Sequence, residues 1–240
     1  MGADPILIPT IEVVAPTSFA ALDAAIEHIS IPQNNYDWLI FTSANAAHSL
    51  ATRAREQGTT LHPKRIAAIG PATSKAIEQA GLILQHKPIL LPEKYVAESL
   101  ADALLTHAGI SSQHYLLVRA EEARDIIPTA LEAAGHRVTI SPAYRNIIPP
   151  ETLPALQKLF ATPSDYPDLI TFTSSSTARN LIALLESLGL TIPSGITLAS
   201  IGPITSATLR DLGYSPTIEA AEPTIEALTA AIARHFNLAT

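Results

Sequence analysis

The chain has 240 residues, of which 47% are hydrophobic and 15% are charged, and its formal net charge is −7 at pH 7. It is long enough to bury one or two cores, and no run of more than two Lys or Arg residues supplies the basic surface that nucleic-acid binding requires. The absence of cysteine excludes disulfides, zinc–thiolate sites and thiol catalysis.

The remaining composition favours a cytoplasmic protein without metal or membrane attachment. The eight histidines are scattered and none forms an H-x-x-x-H pair, so a metal site is not predicted. The longest charge-free segment, 187–209, contains two prolines and three glycines, which argues against a membrane span, and the N-terminus shows no signal-peptide pattern.

Short apolar runs alternate with amphipathic helical patterns along the whole chain. Strands are predicted at residues 5–8, 38–41, 65–69, 115–118, 138–140, 169–172, 197–201 and 216–218. Helices are predicted at residues 18–28, 44–57, 73–80, 97–108, 125–134, 150–160, 177–188, 205–212 and 224–236, five of them ending at a glycine: Gly58, Gly81, Gly135, Gly189 and Gly213. This alternation, with strands apolar throughout, is typical of parallel sheets with helices on both faces.

Three pairs of segments show that the chain is internally duplicated. "WLIFTSANAAHSLATRAREQG" matches "DLITFTSSSTARNLIALLESLG", and "AAIGPATSKAIEQAGLILQH" matches "ASIGPITSATLRDLGYSPTI", with offsets of 131 and 132 residues. "GADPILIPTIEVVAP" aligns with "GHRVTISPAYRNIIPP" at an offset of 133. A nearly constant offset indicates two related α/β halves.

The duplication predicts that the first half lacks an element. Residues 115–134, a strand and a helix, precede Gly135 in the second half, whereas only Met1 precedes the matching Gly2. The comparison therefore predicts that an N-terminal strand and helix are missing, and we expect the natural reading frame to begin about 18–25 residues upstream, a length set by that repeat.

Prolines bracket two matching extended stretches, Pro9 to Pro16 and Pro142 to Pro150. Because proline disfavours helix before it and removes a backbone donor, these stretches are either two linkers between domains or ordinary loops. The linkers would cover about 9–16 and 141–150.

The repeated turns, "FTSANA" with "FTSSST" and "IGPAT" with "IGPIT", each follow a strand and open a helix. Their hydroxyls are expected to cap the free N–H groups of the helix. In parallel α/β sheets the edge at the carboxyl ends of the strands, where these turns lie, forms the ligand crevice, and helix N-termini there attract anions. No nucleophile–base pair or phosphate loop is present, and hydroxyls, amides and a few arginines suit dispersed carboxylates.

The chain resembles the uroporphyrinogen-III synthase family from Gly2 to about Phe236. The resemblance rests on the order and spacing of "FTSANA", "AAIGPATSKAIEQAG", "RAEEARDIIPTALEAAGHRVTISPAY", "TFTSSST" and "ASIGPITSATLRDLGY". It implies two flavodoxin-like domains joined by two extended linkers: a discontinuous domain of residues 1–14 plus 148–240, and a continuous domain of residues 17–143.

The resemblance also implies a reaction. The linear tetrapyrrole hydroxymethylbilane loses its terminal hydroxyl as water, its last pyrrole ring is inverted through a spiro intermediate, and the macrocycle closes, with no metal or organic cofactor. Such an enzyme must enforce geometry, so that the spiro route is faster than direct closure to the type I isomer. The substrate has eight carboxylates while the protein carries a charge of −7, so local donors must hold it.

The family's catalytic tyrosine corresponds to Tyr144, expected in a partly exposed linker, where it would donate to the departing hydroxyl. Alternatively Tyr144 only packs between domains. The family's two adjacent hydroxyls correspond to Ile204 and Thr205, so one is absent here. The other positions expected to bind substrate, with helix capping as the alternative role, are Ser43, Asn45, Thr73, Arg124, Ser174 and Ser175.

Three further expectations complete the sequence-based prediction. The protein is expected to be a monomer that meets hydroxymethylbilane synthase transiently, with no nucleic-acid or membrane partner. Two other functions stay open from the sequence alone: a non-catalytic tetrapyrrole or anion sensor, and a two-domain small-molecule binder of unrelated chemistry.

Overall fold

The computed structural model of the chain describes residues 2–82 and 88–236, and contacts divide it into two compact units. The continuous unit comprises Val13–Ile147, and the split unit combines Met1–Glu12 with Ile148–Thr240. Both consist of parallel strands and helices, so the α/β fold class predicted from the alternating pattern is confirmed.

The continuous unit contains a five-stranded sheet in the order β1-β5-β4-β2-β3. The pairings β5–β4, β4–β2 and β2–β3 are all parallel. Its strands are β1 (Glu12–Val14), β2 (Trp38–Phe41), β3 (Ile66–Ala68), β4 (His114–Ala120) and β5 (Arg137–Ile147). Its helices are α1 (Ala20–Ile29), α2 (Ala44–Glu56), α3 (Pro71–Gln79), α4 (Ala97–Ala108) and α5 (Ile126–Ala133).

Alternating side chains of β2 and β4 divide this unit's core into two layers. Leu39, Phe41 and Val118 pack with α1, α2 and α3 on one face. Ile40 and Leu117 pack with α4 and α5 on the other face. Because both faces are covered, β2 and most of β4 are buried along their length, which explains their continuous apolar sequence.

The split unit contains a three-stranded sheet in the order β6-β7-β8, parallel in both pairings. Its strands are β6 (Leu169–Phe172), β7 (Thr197–Ser200) and β8 (Ile218–Glu219). Its helices are α6 (Thr152–Leu159), α7 (Ser175–Ser187), α8 (Pro203–Asp211) and α9 (Ile225–His235), with a short 3-10 helix at Pro163–Asp165. α6, α7 and α8 cover one face, and α9 covers the other.

The five glycines predicted to end helices all adopt positive φ. At the paired positions Gly58 and Gly189, φ is +63° and +68°, a region in which side chains other than glycine are strained. These two helix ends were predictable because the requirement is local.

The predicted strand at residues 5–8 is wrong. Residues 2–9 form no strand, and Ile6 and Leu7 are exposed. Their counterparts in the duplication lie in β5, which pairs with β4. An apolar run becomes a strand only when a neighbouring strand takes its backbone hydrogen bonds, and among the described residues of the split unit none pairs with residues 2–9.

The two proline-bracketed stretches contain strand residues. Residues 9–16 include β1, and residues 141–147 belong to β5, which is the neighbour of β1 in the sheet. No helix within the described ranges 2–82 and 88–236 is long and apolar enough to span a membrane.

Candidate functional site

The carboxyl ends of β2, β3, β4 and β5 meet at one edge of the continuous unit's sheet, because these strands are parallel. The predicted site residues Ser43 and Asn45 follow β2, Thr73 follows β3, and Arg124 follows β4. Tyr144 lies in β5, opposite Ala120. The fold therefore gathers five positions that are widely separated in sequence along a single edge, as expected for the ligand side of such a sheet.

Ser43 and Tyr144 are in direct contact. The hydroxyl oxygens are 3.0 Å apart, although the residues are 101 positions apart in sequence. Ser43 is also the N-cap of α2, where its Oγ accepts a hydrogen bond from the Ala46 N–H at 3.1 Å. The Ser43 hydroxyl thus joins a helix N-terminus to the phenol. The capping role expected from the sequence is observed, and the substrate-binding role stays a prediction.

Tyr144 does not lie in a partly exposed linker, so that expectation was wrong. It is 7% exposed and belongs to the core that contains Phe41 and Val118. Its backbone carbonyl accepts a hydrogen bond from the Glu121 N–H at 2.8 Å. Proline on either side suggested a connector, but pairing of β5 with β4 continues up to Tyr144 and holds the phenol ring in place.

Thr73 and Thr205 do not cap their helices, which corrects the capping expectation for the two Gly-Pro turns. The N-caps are Gly70 and Gly202, with proline at the first helical position and no side-chain capping bond. Both threonines are buried within the first turn, 4% exposed each. A Cβ added at Gly70 would lie 3.2 Å from the Tyr95 ring, so this exposed side chain would have to shift by a few tenths of an ångström to admit another residue.

The end of β4 carries a buried cation that sequence reasoning missed. Arg119 is 7% exposed, and its guanidinium donates to the Arg124 carbonyl at 3.1 Å and to the Asp125 carboxylate at 2.7 Å. Its buried Nε has no partner within the described structure. The signal was an arginine at the end of the apolar run "YLLV", a position where a charge is retained only with partners.

These bonds of Arg119 set the path of the turn that carries Arg124. Arg124 itself is exposed, and it precedes α5, whose N-cap is Asp125. A buried arginine therefore holds the backbone while the next arginine along the turn presents its charge to solvent. This arrangement suits an anionic ligand, because the exposed guanidinium can form charge-assisted bonds with carboxylates.

Glu121, in the same turn, is bound to the segment before α1. Its carboxylate accepts a hydrogen bond from the Thr17 N–H at 2.8 Å. Hydrogen bonding from Thr17 lowers the pKa of Glu121, so this carboxylate stays ionised at neutral pH. Its negative charge partly offsets the arginines at this edge of the sheet.

In the split unit, Ser174 caps α7 in the way that Ser43 caps α2. Its Oγ accepts from the Thr177 N–H at 3.1 Å, and the Thr177 Oγ1 accepts from the Ser174 N–H at 2.9 Å. This reciprocal pair forms a capping box. The second contact of the Ser174 hydroxyl is with Thr177 Oγ1 at 3.0 Å, so the hydroxyl is satisfied within its own turn.

Ser175 links the turns after β6 and β7. Its hydroxyl donates to the Ile204 carbonyl at 3.4 Å and accepts from Thr208 Oγ1 at 2.8 Å. Thr205 lies in the same first turn of α8, so the structure brings Ser174, Ser175 and Thr205 to two adjacent turns. Ile204, at the position where the family has a hydroxyl, is 79% exposed.

A cavity of about 460 Å³ lies at the opposite end of the continuous unit's sheet. Its lining includes His114 and Arg137, the first residues of β4 and β5, together with Tyr36 and His28. Arg137 donates to His114 Nδ1 at 2.9 Å, and His114 Nε2 contacts Thr139 Oγ1 at 2.8 Å, so the imidazole is held by two neighbours. None of the predicted site residues lines this cavity.

Residues 2–82 and 88–236 contain no cluster of three or more His, Asp or Glu side chains that could hold a metal ion. The carboxyl edge presents hydroxyls, an amide, arginines and backbone N–H groups, next to the carboxylates of Glu121 and Asp125. These groups can bind carboxylates and donate a proton or hydrogen bond to an oxygen atom.

Residues 1–230 match the profile of the family described as uroporphyrinogen-III synthase HemD. The chain belongs to the uroporphyrinogen-III synthase family. The resemblance on which the sequence-based prediction depended is thereby confirmed, and the family's place in tetrapyrrole biosynthesis applies to the chain.

Two relatives of the chain are both named uroporphyrinogen-III synthase. The uroporphyrinogen-III synthase of Synechococcus elongatus is 35% identical over 238 residues, which cover 96% of this chain and 86% of that protein. The uroporphyrinogen-III synthase of Chlorobaculum parvum is 25% identical over 218 residues, covering 88% of this chain and 81% of that protein.

Solved structures of the family share the fold. A mutant uroporphyrinogen III synthase from Thermus thermophilus matches with a TM-score of 0.66 and 19% identity, covering 98% of this chain and 90% of that chain. The uroporphyrinogen-III synthetase of Helicobacter pylori matches with a TM-score of 0.53 and 19% identity, covering 94% and 90%. At this identity the likeness supports the fold.

Proposed function

We propose that this chain is a cyclising hydro-lyase that converts hydroxymethylbilane to uroporphyrinogen III. The observation that carries the proposal is the Ser43–Tyr144 pair, a phenol held 3.0 Å from a capping serine at the ligand edge of the sheet. In the proposed first step, the electron-rich terminal pyrrole supplies the electron pair that breaks the bond between carbon and the departing hydroxyl. Tyr144 donates a proton to that oxygen, which leaves as water.

The proposed ring-forming steps need positioning more than further chemical groups. The cation left after loss of water is attacked by the substituted α-carbon of the last pyrrole ring, which forms the spiro intermediate. The bond from that carbon to its original bridging carbon then breaks, and the cation formed at the bridging carbon is attacked by the other α-carbon of the inverted ring, which closes the macrocycle. That α-carbon loses its proton to the Tyr144 phenolate, which restores the aromatic pyrrole. No electrons are gained or lost overall. Holding a flexible chain in the reactive conformation can contribute several kcal/mol to the barrier difference, by analogy with intramolecular reactions.

Substrate carboxylates would be held by local positive groups, since the net charge of −7 gives no general attraction. In the continuous unit these are the exposed Arg124 and the N-termini of α2 and α3. In the split unit they are the N-termini of α7 and α8, next to Ser174, Ser175 and Thr205. Each helix N-terminus contributes about 0.3–1 kcal/mol for a favourably placed charge.

We further propose that the protein acts as a cytoplasmic monomer that receives substrate in transient contact with hydroxymethylbilane synthase. The monomer is supported by the hydrogen bonds of the described site residues Ser43, Tyr144 and Ser175, which are made within one unit and need no second chain. Sedimentation velocity would give a single species of the monomer mass, 25.4 kDa. A stable dimer at micromolar concentration would contradict this part of the proposal.

The proposal is tested by incubating the protein with freshly prepared hydroxymethylbilane, oxidising the products and separating the type I and type III isomers by chromatography. Spontaneous closure in a protein-free blank supplies the type I reference. A type III fraction that rises with protein concentration supports the proposal. Product of type I alone, formed at the rate of the blank, would contradict it, and tight binding of tetrapyrrole without turnover would favour a sensor.

A further inference from the structure

The Tyr144 ring is held in place while its hydroxyl can still rotate. The backbone carbonyl is bonded to Glu121, and the ring is packed in the core with Phe41 and Val118. The hydroxyl proton can point toward Ser43 or away from it, and only in the second case is it free for a ligand. Whichever group sets this rotation decides whether Tyr144 acts as a donor.

The Ser43 hydroxyl can set this direction because one of its lone pairs is already used. A serine hydroxyl has one proton and two acceptor lone pairs. The Ala46 N–H donates to Ser43 Oγ at 3.1 Å, at the positive end of the α2 dipole. Accepting this bond polarises the Ser43 O–H and makes it a better donor and a poorer second acceptor. Within the described residues, Tyr144 Oη is the hydroxyl oxygen in contact with it, at 3.0 Å.

We propose that Ser43 is a positioning residue that donates its hydrogen bond to Tyr144 Oη and so turns the Tyr144 proton toward the departing hydroxyl of the substrate. The chain of donors runs from the Ala46 N–H through Ser43 to Tyr144. This inference rests on the proposed function, and it assigns to the N-cap of α2 a second role beyond helix stability.

The duplicated turn in the split unit shows that this contact is not a general consequence of capping. Ser174 has the same place after β6 and the same bond to the backbone three residues on, at 3.1 Å. Its second contact is Thr177 Oγ1, not an aromatic hydroxyl. Ser174→Ala therefore removes a cap without removing a bond to a phenol, and it is the matched control for the effect of a lost cap on stability.

The test measures steady-state kinetics and thermal unfolding of Ser43→Ala, Ser43→Thr and Ser174→Ala. Ser43→Ala should lower kcat about threefold to tenfold, the range expected for one hydrogen bond, and leave KM within twofold. Ser43→Thr, which keeps the hydroxyl and the cap, should retain at least half of the parent's kcat. Ser43→Ala and Ser174→Ala should lower the unfolding midpoint by similar amounts, about 2–4 °C.

A double variant separates positioning from a merely structural effect. If Ser43 acts through Tyr144, then Ser43→Ala added to Tyr144→Phe should lower kcat no further than Tyr144→Phe alone. Independent, multiplying effects would overturn the inference. So would equal kcat losses in Ser43→Ala and in Thr224→Ala, a variant that removes the side-chain N-cap of α9.

An NMR measurement without substrate tests the inference independently of the proposed function. The NMR resonance of the Tyr144 Cζ carbon, assigned by its absence in Tyr144→Phe, should move in Ser43→Ala and stay in place in Ser174→Ala and Ser43→Thr. A Cζ resonance that does not respond to Ser43→Ala would overturn the inference even in an active enzyme. A shifted resonance in a protein that makes no type III product would instead leave the contact supported and the proposed function contradicted.

Discussion

The strand–turn–helix segments β2–α2 and β6–α7 are copies of one duplicated pattern and have a serine N-cap at the same place, yet their surroundings differ. β2 lies between β3 and β4, and all four of its residues are buried. β6 is paired with β7 alone among the described strands; its residues Leu169 and Ile170 are partly buried and Thr171 is exposed. The local sequence determines the turn and the cap, while the number of neighbouring strands determines how deeply the strand is buried.

The same difference extends to the chemistry of the two turns. The capping serine after β2 meets the phenol of Tyr144, which β5 brings to that edge of the five-stranded sheet. The capping serine after β6 bonds within its own turn. The duplicated motif thus contacts a phenol in one unit and forms a self-contained cap in the other.

The largest expected effect comes from truncating the phenylalanine that ends each strand. Phe41→Ala should destabilise the continuous unit by about 3–5 kcal/mol, because a fully buried aromatic is replaced by a cavity between two packed layers. Phe172→Ala should destabilise the split unit by about 3 kcal/mol or less, because the cavity would adjoin an edge strand whose neighbours can relax.

Hydrogen exchange measured by mass spectrometry can follow peptides from β2 and β6 separately in these variants. Thr171→Ala, at an exposed position of β6, is the control and should change stability by less than about 0.5 kcal/mol. Equal losses in Phe41→Ala and Phe172→Ala would contradict the link between the number of neighbouring strands and the cost of a cavity.

The second effect concerns two tyrosines of the same sheet. Tyr144→Phe should lower turnover at least tenfold, equivalent to about 1.4 kcal/mol of barrier, because the proposed donor is removed. Tyr115→Phe should leave turnover within twofold and keep or slightly raise stability, because the buried Tyr115 hydroxyl has no hydrogen-bond partner in the described structure.

Stopped assays of type III product, with urea unfolding of both variants, would check this pair. Turnover of Tyr144→Phe within twofold of the parent would return Tyr144 to a packing role. A comparable loss of turnover in Tyr115→Phe would show that activity responds to the sheet in general.

The smallest expected effect is a pH dependence of stability. It arises from His114, the first residue of β4, which is the central strand of the five-stranded sheet. Burial, and next the charge of Arg137, lower the pKa of His114 below its usual 6.5, while Asp37 acts in the opposite direction. Below pH 6.5 the unfolded chain therefore binds a proton that the folded chain does not. Stability of the continuous unit should fall as the pH drops through this range, until the lowered pKa is reached.

Urea unfolding of the parent and of His114→Gln at pH 7.5 and pH 5.5 would measure this dependence. The parent should lose more stability on acidification than His114→Gln does. His48→Gln, at an exposed position of α2, serves as the control for loss of a histidine. An identical pH response in the parent and His114→Gln would contradict the assignment to His114.

Much of the fold could be predicted from the sequence, because its signals are local. The helix ends at Gly58 and Gly189 need positive φ, and the serines before α2 and α7 accept from backbone N–H groups three residues on. Three of the helices that follow the repeated turns begin two residues earlier than predicted, at Pro71, Ser175 and Pro203. Their threonines looked like the start of each helix, although proline and serine are already in its first turn.

The errors fall where a residue's state depends on a distant partner. β1 was missed because three residues, one of them Glu12, form a strand only by pairing with β5. Residues 5–8 have the composition of a strand but no pairing neighbour in the described part of their unit. Arg119 was overlooked because its partners, the Arg124 carbonyl and Asp125, become visible only when the turn is folded.

The sequence by itself determined the family, the duplicated α/β pattern and the identity of the polar groups at the strand ends, since all of these follow from local order and spacing. Only the tertiary structure decided which of those groups are in contact with one another. The 3.0 Å contact between Ser43 and Tyr144 joins residues 101 positions apart, and it depends on the register of β2, β4 and β5. Hydroxyls act over about 3 Å, a precision that spacing along a chain does not specify and that packed strands do.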